Sequence, residues 1–141
     1  MEITNCPFSV PENYKDFGPQ PYIPIRIINP KTNQAIINWG LVDTGAFSCR
    51  LPSMCGESIG IDILKGRLCE GATAGGKNKV YVHPCNIEIL DMDNNVLTRI
   101  TGEFAFGDSV PFVLLGVQDF LKDYIVTIDY PRQVFLISKG K

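Results

Sequence analysis

Asp43 is the residue of this 141-residue chain whose setting most strongly suggests chemistry. It follows the mainly apolar run "QAIINWGLV" and is followed at once by Thr44, Gly45 and Ala46. This position predicts a carboxylate directed toward the interior, which is costly unless another group pairs with it or a reaction uses it. Asp, Thr and Gly are also ordinary turn residues, so a strand that ends in a capped turn is the alternative.

The segments around Asp43 have the alternating pattern of short β strands. "YIPIRII" places Ile23, Ile25 and Ile27 on one face, and "NPKTN" supplies a tight turn before the strand that enters Asp43. Later, "NIEIL" and "VLTRI" flank the turn "DMDNN", and two final strands flank "YPR". The segment after "VLLG" is expected to be helical. The chain is therefore predicted to be mainly β, a barrel-like sheet with one short α-helix in its C-terminal half.

A glycine-rich hairpin is predicted about 30 residues after Asp43. Two strand-like arms flank the polar "AGGKNK", and we place the tip near Lys77. Cys69 and Cys85 lie equally far from Lys77, so a turn centred there would set them opposite each other. A disulfide is one alternative, and two unpaired core cysteines are the favoured one.

Composition excludes several classes of function. The formal charge of −2 comes without a basic cluster, so nucleic acid is not an expected partner. No segment has the length of a signal peptide's apolar core or of a membrane span, which predicts a cytoplasmic protein without a membrane partner. Five cysteines without a CxxC pair and a single histidine, His83, argue against a metal site, and we expect no cofactor.

Two other chemistries fit poorly. Cys49 or Cys55 could act as a nucleophile with His83 as base, but none of them has a recognisable nucleophile setting. The glycines of "GATAGGK" look faintly like a phosphate loop, but Asn78 stands after Lys77, where that loop needs Ser or Thr.

Four features coincide: the apolar strand before Asp43, a small residue after Gly45, the glycine-rich hairpin, and the later "VLLG". Together they resemble the retropepsin-like aspartic proteases in their single-domain form, of the bacterial and cellular branch, over roughly residues 20 to 138. The resemblance implies an acid-protease barrel that acts as a homodimer on peptide or protein substrates. Residues 1–20 would be an extended N-terminal arm, and residues 21–141 the protease domain.

The resemblance also implies roles for particular residues. Asp43 of each chain would be catalytic, because this route to peptide hydrolysis needs two carboxylates facing one water. The other implied roles are support of the active-site loop by Thr44, Gly45 and Ala46, a substrate-binding flap at Ala74, Gly75 and Gly76, and a structural apolar pair and glycine at Leu114, Leu115 and Gly116.

The sequence departs from the viral members of that family at their subunit ion pair. Phe47 and Val117 stand where those proteases usually carry an acid and an arginine. Gln118 stands where Asp or Asn is usual in that family, and Asp119 follows one residue later. The dimer contact must therefore differ. Two alternatives stay open: a retropepsin-like domain that binds peptides or dimerises without cutting, and an unrelated β-barrel binding module.

Overall fold

The structure is a computed structural model that describes residues 2–73 and 76–140. The described residues form ten strands, one α-helix and three 3₁₀ helices. The strands are β1 (Glu2–Pro7), β2 (Tyr22–Ile28), β3 (Ala35–Val42), β4 (Arg50–Pro52), β5 (Arg67–Thr73), β6 (Gly76–Leu90), β7 (Val96–Gly107), β8 (Val113–Leu115), β9 (Tyr124–Asp129) and β10 (Val134–Lys139). The α-helix is α1 (Ser53–Glu57), and the 3₁₀ helices are Glu12–Phe17, Ile63–Lys65 and Leu121–Asp123.

Six strands close into a barrel in the order β2-β3-β8-β4-β7-β6, because β6 also pairs with β2. Strand β5 extends this sheet from β6, and β1, β10 and β9 form a second sheet. The predicted inward face of β2 is confirmed, since Ile23, Ile25 and Ile27 have no exposed surface. The mainly β, barrel-like fold class is likewise confirmed.

The predicted turns "NPKTN" and "DMDNN" connect antiparallel strands. Between β2 and β3, the Asn29 side-chain oxygen accepts from the Lys31 amide at 3.0 Å, and Asn33 has a positive φ of 62°. Between β6 and β7, the Asp91 carboxylate accepts from the amides of Asp93 and Asn95. Asparagine and aspartate bond their own backbone in this way, which is why these turns can be identified from sequence.

The position of the α-helix differs from the prediction. It begins directly after Pro52, in the first half of the chain, whereas the segment after Gly116 forms turns and a 3₁₀ helix. There the Leu121 amide donates to the Gly116 carbonyl and the Lys122 amide to the Val117 carbonyl, each spanning five residues instead of four. These bonds stand in place of the four-residue bonds that an α-helix requires.

The glycine-rich hairpin exists, but its tip does not lie at Lys77. Strands β5 and β6 pair antiparallel from Arg67 opposite Val82 to Thr73 opposite Gly76. Cys69 is therefore opposite Val80, while Cys85 pairs with Gly102 on β7. The predicted symmetry of the two cysteines was wrong because nothing local fixes the centre of a polar loop. All five cysteines are free thiols.

The first 20 residues contact the rest of the chain in two places. Strand β1 pairs with β10, and Cys6 is buried. Tyr14 stacks on Tyr22 at 5.4 Å between ring centroids and contacts Phe112 edge-on. The division of the chain at residue 20 stays a prediction. In the part of the chain that the structure describes, no helix has the length and apolar character needed to cross a membrane.

Candidate active site

Asp43 lies at the end of β3, where the chain leaves the barrel. Its amide donates to the Leu115 carbonyl at 3.1 Å, so the pairing of β3 with β8 continues one residue past Val42. Its carbonyl accepts from the Ala46 amide at 3.2 Å, which closes a tight turn. The Gly45 amide donates to the Asp43 carboxylate at 2.9 Å. The backbone thus fixes the direction of this side chain within one loop.

The expectation of a buried carboxylate needs correction for the isolated chain. Asp43 is only half-buried, Thr44 and Gly45 are exposed, and Ala46 is half-buried. The apolar strand does lead into the core, because Val42 is 3% exposed, but alternation turns the next side chain to the opposite side. The loop from Asp43 to Ala46 is therefore a surface feature of a single chain.

Gly116 fits against the Asp43 loop so closely that a side chain has no room. A Cβ atom there would lie 2.5 Å from the carbonyl carbon and oxygen of Ser48 and 2.9 Å from the Ala46 oxygen. The next amides continue the contact: Val117 donates to the Ala46 carbonyl at 2.9 Å and Gln118 to the Phe47 carbonyl at 2.8 Å. Residues 116–118 therefore hold residues 46–48 through backbone alone.

Leu114 and Leu115 point in opposite directions. Leu115 has no exposed surface and covers Gly40, where an added Cβ would approach the Leu115 side chain at 2.8 Å. Leu114 is half-buried and faces away from the core. The two residues of the predicted apolar pair thus differ in role: Leu115 packs the barrel under the loop, and Leu114 belongs to the same side of the sheet as Asp43.

Asp119 is a supporting residue that sequence reasoning did not assign. Its carboxylate accepts from the Cys49 amide at 2.8 Å, and the Cys49 sulfur accepts from the Gly116 amide at 3.3 Å. Burial raises the pKa of the Cys49 thiol to about 12, so it stays protonated at neutral pH. One feature of the sequence indicated this role: Asp119 comes one position after the place where the family usually has Asp or Asn.

The outer surface of the loop carries an exposed aromatic residue. Phe47 is 76% exposed although its carbonyl is held by Gln118. A cavity of about 650 Å³ lies elsewhere, beside α1, and is lined by Tyr14, Asn38 and Cys55 among others; Asp43 does not contribute to it. Phe47 is therefore a largely exposed aromatic residue four positions after the half-buried Asp43.

The predicted flap residues fall only partly within the described residues. Ala74 and Gly75 lie outside them, and Gly76 begins β6 opposite Thr73. The arms of the β5–β6 hairpin are described. Among the described residues, no group of three or more His, Cys, Asp or Glu side chains is placed to hold a metal ion.

Comparison with solved structures identifies the fold as that of retropepsin-like aspartic proteases. A retropepsin-like aspartic protease from Rickettsia conorii matches with a TM-score of 0.60 and 17% identity, over 99% of this chain and 91% of that one. EIAV protease, in complex with an inhibitor, matches with a TM-score of 0.51 and 21% identity, over 74% of this chain and 86% of that one.

A third match is the retroviral protease-like domain of Ddi1 from Leishmania major, with a TM-score of 0.51 and 18% identity, over 86% of this chain and 94% of that one. No family model matches the sequence, and no curated protein sequence matches it significantly. At these identities the structural matches establish the fold, and the chemistry has to be argued from the residues.

Proposed function

We propose that this protein is an aspartic endopeptidase that acts as a homodimer, with Asp43 of each chain in one shared site. The observation that carries the proposal is the loop geometry. Asp43 is held by the Leu115 carbonyl and by the Gly45 amide, yet it is only half-buried in the single chain, next to the exposed Thr44 and Gly45. A carboxylate held by backbone bonds but not enclosed by its own chain suits a site completed by a second copy.

Two Asp43 carboxylates a few ångströms apart cannot both ionise, so the pair would share one proton and titrate as a unit. The ionised member accepts a proton from water as the water oxygen attacks the peptide carbonyl. The protonated member donates to the carbonyl oxygen, and collapse of the tetrahedral intermediate then transfers a proton to the leaving amine. Neither metal nor cofactor is needed for this balance of protons.

The dimer contact we propose is centred on the loop itself. Thr44 is exposed beside Asp43 and has a stiff β-branched side chain that can bond across a two-fold axis. Phe47, 76% exposed and only four residues from Asp43, would be covered as the two loops approach. In the viral members an acid and an arginine form an ion pair at the positions that Phe47 and Val117 occupy in this chain. An aromatic contact would replace that ion pair here.

The β5–β6 hairpin would serve as the flap. Its described arms pair in regular antiparallel register. The sequence between the arms includes Ala74 and Gly75, followed by Gly76, and glycines permit close backbone approach to an extended peptide. A peptide held between flap and barrel would be shielded from bulk water during hydrolysis.

The test is cleavage of a diverse peptide mixture by the purified protein from acid to neutral pH, read as new termini by mass spectrometry. Wild-type protein should cleave, and a pepstatin-type inhibitor should reduce cleavage. Asp43→Asn should abolish cleavage while circular dichroism and sedimentation stay unchanged, since the side chain is nearly isosteric. Equal cleavage by wild type and Asp43→Asn would disprove the assignment.

A second candidate is a retropepsin-like domain that binds peptides or dimerises without hydrolysis. The match to the retroviral protease-like domain of Ddi1 leaves this alternative open. Peptide binding measured by fluorescence anisotropy, with no new termini from wild-type protein at any pH tested, would select this alternative.

A further inference from the structure

One row of side chains crosses the barrel on the side of Asp43. Strands β3, β8 and β4 are neighbours, with Leu41 opposite Leu114 and Leu114 opposite Arg50. Directly paired residues project to the same side of a sheet. All three side chains of this outer row are half-buried. The residues that alternate with them, Val42, Leu115 and Leu51, are at most 3% exposed and form the core.

Asp43 belongs to the same side as the outer row. It comes two residues after Leu41, and the bond from its amide to Leu115 extends the ladder to that point. Arg50 is two strands away from Leu41, at about 4.8 Å per strand, and Asp43 is two residues along from Leu41, at about 3.3 Å per residue. The backbones of Arg50 and Asp43 are therefore about 12 Å apart. An extended peptide lying on this face covers that distance in about four residues.

Arg50 differs from the other four arginines of the chain. Arg26 and Arg99 pair with Glu88, Arg67 with Glu103, and Arg132 with Asp129. Among the side chains that the structure describes, no carboxylate lies within ion-pair distance of Arg50, although Arg50 is half-buried beside Leu114.

We propose that Arg50 determines substrate specificity by binding an acidic side chain, glutamate or aspartate, within about four residues of the scissile bond. This inference rests on the proposed function. The guanidinium group can bind a carboxylate with two parallel hydrogen bonds, and the apolar neighbour Leu114 strengthens that contact by excluding water. In a symmetric dimer each subunit supplies one Arg50, so the preference applies on both sides of the cleavage point.

The experiment compares wild type, Arg50→Met, Arg50→Glu and the control Arg132→Met. Arg132 is an exposed arginine on the β9–β10 turn, outside the outer row. Each protein is given the peptide mixture, then matched peptides that differ only as Glu, Gln or Lys at the preferred position. Wild type and Arg132→Met should favour Glu over Gln about ten- to hundredfold in kcat/KM, the range expected for a charge-assisted hydrogen bond.

Arg50→Met should remove that ratio while still cleaving the Gln peptide, and Arg50→Glu should favour Lys. Wild-type cleavage without a preference for acidic residues would overturn this inference and leave the proposed function standing. A weaker dimer in Arg50→Met, by sedimentation, with an unchanged Glu to Gln ratio would overturn it too, by placing Arg50 in the subunit contact. Failure of wild type to cleave any peptide would overturn both proposals.

Discussion

Replacing Gly116 by alanine should damage the support of the Asp43 loop. The new Cβ would lie 2.5 Å from the Ser48 carbonyl group and 2.9 Å from the Ala46 oxygen, and all of these are backbone atoms. Backbone cannot rotate away as a side chain can, so residues 46–48 or 116–118 must move. Overpacking of this kind costs about 1–3 kcal/mol, and we expect the upper end because the backbone of two residues is approached at once.

The matched control is Gly45→Ala in the same loop. Its Cβ would meet only the Asp43 carboxylate, at an ordinary 3.4 Å, and Gly45 is not among the glycines with a positive φ. Its free energy of unfolding should stay within about 0.5 kcal/mol of wild type. Urea unfolding followed by circular dichroism measures both variants. A Gly116→Ala protein as stable as Gly45→Ala would refute the packing argument.

Two further predictions concern the supporting residues. Asp119→Ala should lower the free energy of unfolding, measured by urea titration, by about 1–2 kcal/mol, because the Cys49 amide loses its acceptor. Asp119→Asn should retain most of the stability, because its side-chain amide oxygen can still accept this hydrogen bond. Equal losses in both variants would contradict the role of the bond. Burial raises the pKa of the Cys49 thiol to about 12 and that of the Cys85 thiol to about 11, so the unfolded chain releases these protons at lower pH than the folded chain does. The free energy of unfolding should therefore fall as pH rises above about 9, by up to about 1.4 kcal/mol per pH unit for each thiol. Urea titrations at pH 8 and pH 10 measure how the free energy of unfolding changes with pH. This change should be smaller in the double variant Cys49→Ala/Cys85→Ala. An unchanged pH dependence would contradict its assignment to these two thiols.

Local patterns predicted the parts of the fold that depend on neighbouring residues. The alternation of Ile23, Ile25 and Ile27 identified a strand with one buried face, and the turn before β3 was set by asparagine chemistry. The strand that enters Asp43 and the loop that follows it could be recognised for the same reason. Each of these features is encoded within about eight residues.

Other features depend on residues far apart in the chain and could not be read from a local pattern. The contact of Asp119 with Cys49 spans 70 residues. The hairpin register follows from the pairing of β6 with β5 and β7, and symmetry around Lys77 gave a wrong tip. Helix α1 has five residues, too few for a helical period to be detected, although Pro52 marks its start.

The central proposal, one site shared by two chains, is tested most directly by mixing subunits. Wild-type and Asp43→Asn proteins are equilibrated in varying proportions at constant total concentration, and cleavage of one peptide is measured. If the two Asp43 residues form a single dyad, mixed dimers are inactive and an equal mixture retains about one quarter of the wild-type rate. An equal mixture that retains about one half would mean that each chain works alone, and would contradict the shared site.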